Sequence, residues 1–242
     1  RNVGIERRAL SWSSSIPPSS DSNVVHNVLW GLATLGLQIP AEAATYLARE
    51  GAGGMKGEEA ASVLWSLCVA GRFDQEAFEE LWEKAEKGTD SAESRMQMLQ
   101  AQMGAKMFGG FEVGDIEAEA DGAMQRGEGN VNVSRMQRQV TEALEKKMPG
   151  VWEMEHYPFS SCDLGGLRAM NVDLAWPDKK ICIEVQGPSH YLVSPPSTDR
   201  IIVNGATAFK RRVLEAMGWK VGEVEWWRWK KEGPKCLKDV LK

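Results

Sequence analysis

Apolar and polar positions alternate from residue 171 to residue 186. Val172, Leu174, Trp176, Ile181, Ile183 and Val185 fall on one side of an extended chain, with Asn171, Asp173, Glu184 and Gln186 on the other. Pro177 followed by Asp178-Lys179 predicts a tight turn joining two antiparallel strands. That turn sets Trp176 opposite Ile181 and carries the pairing back to Asp173 opposite Glu184. A slip of one residue would move the acids to the apolar side, so the pattern itself specifies the register.

Around this hairpin the period changes to that of helices. Met136, Val140 and Leu144 share one face of a helix predicted over 134–147 and stopped by Pro149-Gly150. A short strand follows at 152–157, and a loop rich in Pro and Ser covers 188–204. A second helix over 206–217 ends at Gly218, and a closing strand spans 219–224. Trp226, Trp227 and Trp229 then precede a last helix near 235–241. Helix, three strands, helix and strand make an α/β sandwich of about 110 residues.

The front half is built differently. NVLWGLATLG at 27–36 and SVLWSLCVAG at 62–71 align with Val, Leu, Trp, Leu and Gly in register, a period of 35 residues. Each copy reads as helix, glycine, helix, with the second helices at 41–48, after Pro40, and at 75–87. Such a unit implies an α-solenoid, with Trp30 and Trp65 in its core. Two clear copies are too few for a free solenoid: residues 91–107 read as a degenerate third copy, or the array continues before residue 1, or it leans on a partner. Residues 104–130 hold seven Gly and six acids against two bases, which reads as a linker. The expected organisation is an α+β chain in two parts: a tail at 1–22, helical repeats at 23–103, a linker at 104–132 and the α/β domain at 133–242.

Composition narrows the classes. No run reaches the roughly 18 to 20 apolar residues of a membrane helix, so no membrane span is expected. Cys68, Cys162, Cys182 and Cys236 form no CxxC pair, and the three histidines do not join them, which leaves neither a zinc motif nor a disulfide framework. Residues 1–20 carry three Arg and six Ser against one acid, the composition of an organellar transit segment or of a disordered tail. Charge is uneven: from Lys210 onward ten basic residues face five acids, whereas the front half is acidic. The basic end is the expected polyanion surface.

Two carboxylates opposite each other on a sheet repel by about 0.2–1 kcal/mol, so something must relieve Asp173 and Glu184. A bound Mg²⁺, a cation such as Lys210 or Arg212, a bridging Arg168, or protonation of one acid would each do so. A metal held by Asp173 and Glu184 would make the pair a metal-dependent nuclease site; otherwise it is structural.

The run VDLAWPDKKICIEVQGPSHY (172–191), followed by FKRRVLEAMGWKV and EWWRW, resembles the RAP domain. The helical units of period 35 resemble octotricopeptide and FAST-kinase-like repeats. The resemblance implies a fold similar to the PD-(D/E)xK nucleases of the very-short-patch-repair type, with Asp173 and Glu184 at the positions of the two motif acids. It also puts Gln186 where active nucleases carry lysine, an absence that favours RNA binding over cleavage unless Lys210 supplies the missing ammonium. The catalytic set, if there is one, is thus Asp173, Glu184, Gln186 and Lys210. For RNA, the candidates are Lys210, Arg211, Arg212, His190, Trp227, Lys230 and Lys231. The implied role is that of an organellar protein, mitochondrial ahead of plastid, acting on mRNA or rRNA in processing, stability, translation or ribosome assembly. Alternatives are a structural subunit of a large assembly such as a mitochondrial ribosome, and a Mg²⁺-dependent endoribonuclease.

Overall fold

In the computed structural model, residues 22–37, 53–114, 116, 133–158, 170–195 and 200–240 are described. The chain divides into two compact units, Arg1–Gln125 and Arg126–Lys242. Residues 1–21 of the predicted tail, the helix at 41–48, residues 117–132 of the expected linker and Arg168 lie outside the described residues, and Ser22 already belongs to the first helix.

Helices α1 (Ser22–Thr34), α2 (Gly57–Val69), α3 (Gln75–Gly88) and α4 (Ala92–Gly104) build the first unit. Asp74 and Ser91 cap α3 and α4 by accepting hydrogen bonds from Ala77 N–H and Ser94 N–H, which satisfies donors that helix geometry leaves unpaired. Leu29, Leu64 and Leu99 recur every 35 residues and are all buried, one on each of α1, α2 and α4. The tryptophans at the same period behave otherwise. Trp65 is half-buried and donates its indole N–H to Gln100, another 35 residues on, whereas Trp30 is 46% exposed. The expectation that both are core therefore fails. The position faces the next copy along, and an indole there needs a hydrogen-bonding partner as much as an apolar wall.

The predicted linker also begins later than its composition suggests. A π-helical turn at Ala105–Gly109 continues α4, and Phe108 and Phe111 pack against Phe73 and Phe78 with ring centroids 5.4–6.0 Å apart. Backbone contact explains one glycine here. A methyl group on Gly57 would lie 2.3 Å from the Gly88 carbonyl carbon, so the start of α2 touches the end of α3 main chain to main chain. Gly57→Ala should cost about 2 kcal/mol by overpacking, read as faster hydrogen exchange in α2 and α3. Unchanged protection would show that the contact relaxes freely.

The second unit is a four-stranded sheet in the order β1-β2-β3-β6, with β1 (Glu153–His156), β2 (Val172–Trp176), β3 (Ile181–Gln186) and β6 (Lys220–Glu225). The first two pairings are antiparallel and β3 runs parallel to β6. The hairpin register is the one the pattern predicts: Trp176 pairs with Ile181 and Leu174 with Ile183, around a turn in which Lys180 N–H donates to Pro177 C=O. On one side, Leu174, Ile183 and Val224 pack with Val140 and Leu144 of α5 (Arg135–Glu145) and with Cys236 and Leu237. A solvated acidic face on the other side does not occur. Ala175, Cys182, Glu184 and Gln186 are all buried there, because the chain returns from β3 as α6 (Gly205–Ala216), whose Lys210 reaches Glu184.

Two further departures concern loops. The stretch at 188–204 contains a ribbon of β4 (Tyr191–Val193) and β5 (Ile202–Val203). The tryptophan run is itself helical: α7 (Trp226–Glu232) starts where β6 stops and leads through a short turn to α8 (Leu237–Val240). Aromatic side chains favour strands as isolated residues, but here Trp229 must turn back onto the core, and a helix provides that direction. No helix among the described residues is long and apolar enough to cross a membrane.

Candidate functional site

The site is assembled where β3 leaves the sheet. Pro188–His190 forms a 3-10 turn, and Asn204, the cap of α6, ties it down. The Asn204 side-chain amide donates to Ser189 C=O (2.8 Å), its backbone N–H donates to His190 C=O (2.9 Å), and its side-chain oxygen accepts from Thr207 N–H (2.8 Å). This clamp brings His190 Nδ1 within 3.1 Å of Thr207 Oγ1. One turn further along α6, Lys210 descends to the sheet.

There its ammonium meets the acids. Lys210 Nζ lies 2.6 Å from Glu184 Oε2, and Asp173 Oδ2 accepts from Val185 N–H at 2.6 Å. Glu184 Oε1 is buried without a hydrogen-bond partner. Burial is the largest influence on Glu184 and pushes its carboxyl up to about 7; Lys210 pulls it back and Asp173 adds to the rise. Asp173 is raised for the same leading reason, against the pull of Val185 N–H and Lys210. Burial, with Lys210 close by, lowers His190 and so favours its neutral form.

An acidic row extends beyond the predicted pair. Glu184 is the register partner of Glu223 on β6, and Arg211 binds Glu223 Oε2 at 3.2 Å. Gln186, also buried, donates to Glu223 Oε1 at 3.0 Å and accepts a hydrogen bond from the Tyr191 hydroxyl. Neither Glu223 nor Tyr191 was among the predicted site residues. Alternation around Gly222 and Val224 does put Glu223 on the side away from the core, but only the parallel pairing of β3 with β6 brings it to Glu184.

Residues 183–238 match the RAP domain. No curated protein matches the chain. The RAP match fits a function exercised on RNA, and it takes in Glu184, Gln186, His190, the whole of α6 and α7, and leaves Asp173 just outside.

Within the RAP segment the predicted RNA contacts fall into two groups. Lys210 is spent on Glu184, and Arg211 on Glu215 (2.8 Å) and Glu223. Arg212 lies with its guanidinium 5.3 Å from the centre of the Phe209 ring. These three fasten α6 to the sheet and to itself. Lys230 and Lys231 are exposed on α7, on the same helical face as Trp227, whose ring meets Tyr191 edge-on at 4.7 Å. Trp229 packs into the core and its indole N–H reaches Gln139 at 3.3 Å, leaving Trp226 and Trp227 in edge contact at 5.8 Å. His190 stands with the Lys210 group rather than with the lysines of α7.

The acid pair also tests the expected Mg²⁺. A hard divalent ion needs several oxygen ligands and charge that nothing else neutralises. Here Glu184 already binds an ammonium, Asp173 accepts from the backbone, and among the described residues no group of three His, Cys, Asp or Glu is set to hold an ion. The donors as arranged suit Lys210 and do not fit a divalent metal.

Proposed function

We propose that the chain is an RNA-binding protein whose RAP segment contacts RNA while the helical unit serves as scaffold. The RAP match at residues 183–238 carries this reading. The state of the acids supports it: Lys210 holds Glu184 and the backbone N–H of Val185 holds Asp173. The face of α7 that carries the half-buried Trp227 and the exposed Lys230 and Lys231 supplies what unpaired RNA requires, an aromatic ring beside cations. The reading extends to an organellar setting, mitochondrial ahead of plastid, and to processing, stability, translation or ribosome assembly of mRNA or rRNA. The resemblance of 172–229 and the Arg- and Ser-rich composition of residues 1–20 support that extension.

Salt-dependent binding of single-stranded RNA to the whole chain tests it. Lys230→Gln with Lys231→Gln should flatten the dependence of log affinity on log salt by about 1.4, two single-strand phosphate contacts. Negligible binding by the native chain would sink the reading and favour a structural subunit of a large organellar assembly. Crosslinking in the native organelle, followed by sequencing of bound RNA, would name the target.

One observation favours a second reading, a metal-dependent endoribonuclease: Lys210 brings an ammonium to Asp173 and Glu184, in the neighbourhood where Gln186 cannot supply one. It requires Lys210 to leave Glu184. Purified chain should then cut RNA with Mg²⁺ or Mn²⁺ and lose that activity in Asp173→Asn and Glu184→Gln; no cutting with either metal ends this reading.

A further inference from the structure

Much of the positive charge in the RAP segment is consumed inside the fold. Lys210 and Arg211 hold α6 down, and Arg228 pairs with Glu225, Glu232 and Asp239. At the far end of the sheet three lysines come together with no such use. Lys179 sits in the turn between β2 and β3, and Lys180 follows in a left-handed conformation (φ 49°). Parallel pairing then lays the start of β6 alongside, with Lys220 N–H donating to Lys180 C=O at 2.8 Å. All three residues are exposed, and among the described residues none of them is in an ion pair. Lys180 Nζ donates to Met217 C=O at 3.3 Å, where the end of α6 attracts a cation, and that uses one of its three donors.

We propose that Lys179, Lys180 and Lys220 form a contact for the phosphate backbone of single-stranded RNA, a reading that rests on the RNA-binding function above. Three ammonium groups, with one acid, Asp178, in the turn beside them, leave a concentrated positive charge. The patch lies about 13 Å along β3 from Glu184, at four residues of roughly 3.3 Å rise. The lysines of α7 stand at the opposite end of β6, so the two cationic ends bracket the acid pair instead of joining it. A membrane surface is the weaker fit. Peripheral attachment needs an apolar anchor beside the charge, and among the described residues of this unit the exposed large apolar ones, Met154, Leu192 and Ile201, lie neither in the turn nor at the start of β6.

The test is equilibrium binding of a fluorescent single-stranded RNA to the full chain across a salt series. The triple variant Lys179→Gln, Lys180→Asn, Lys220→Gln keeps a residue tolerant of the left-handed conformation at 180. It should lose about 2 from the salt slope and bind about 50-fold more weakly at 0.15 M salt, three contacts at roughly 0.7 each. The triple Lys→Arg variant should keep the wild-type slope. Native binding that the neutral triple variant leaves unchanged overturns this contact alone. No binding by the native chain overturns both the contact and the RNA-binding function beneath it. Lysine-dependent capture by phosphatidylserine vesicles without RNA binding would assign the patch to a lipid surface and overturn it as well.

Discussion

Lys210→Ala should destabilise the RAP unit by about 3 kcal/mol at pH 8, because removing one partner of a buried pair strands the other charge. The cost is no larger because the Lys210 side chain keeps 26% of its surface in water, against 8% for Glu184. Hydrogen exchange at the amides of β3 reads the loss within this unit alone. Two further results separate a stranded charge from a packing defect. The loss should shrink at pH 5, where Glu184 is protonated, and Lys210→Ala combined with Glu184→Gln should recover most of it. A loss of equal size at both pH values would show that the stem of Lys210, not its charge, holds α6 in place.

The same pair explains what could be read in advance. The hairpin was legible because its information is local: a period of two, a proline-led turn and six apolar residues that agree on one face. Caps and stops made the helices at α5 and α6 legible for the same reason. The fate of the acids was not, since their surroundings come from α6, some 26 residues beyond Glu184 in sequence, and no alternation within a strand reports what will cover it. The Lys-Arg-Arg run illustrates the cost. Its charge is plain in the sequence, but whether it meets RNA or a carboxylate depends on which helical face turns inward. Conversely, Lys180 and Lys220 look unrelated until β3 and β6 pair in parallel. Trp227 was legible only as an aromatic among cations; its strand-like neighbourhood hid the helix that puts Lys230 and Lys231 beside it.

A buried acid beside a half-buried one also predicts how the fold responds to pH. Glu184 titrates near 7 in the folded unit and near the ordinary 4.5 when unfolded, so between these values the folded state holds more protons. Stability from this group is therefore fully present below about pH 4.5 and falls as pH rises through 7. About 3 kcal/mol is at stake, from roughly 1.4 kcal/mol per pK unit. Asp173, raised as well, works in the same direction. Glu184→Gln removes the titration, so the stability of that variant relative to the native chain should grow by about this amount between pH 5 and pH 8, again followed by exchange at β3. The carboxyl carbon resonance of Glu184 gives the direct check. A midpoint close to 7 fits a carboxylate whose desolvation outweighs a 2.6 Å contact with an ammonium; a midpoint near 4.5 would mean that Lys210 wins and that the pair is an ordinary salt bridge.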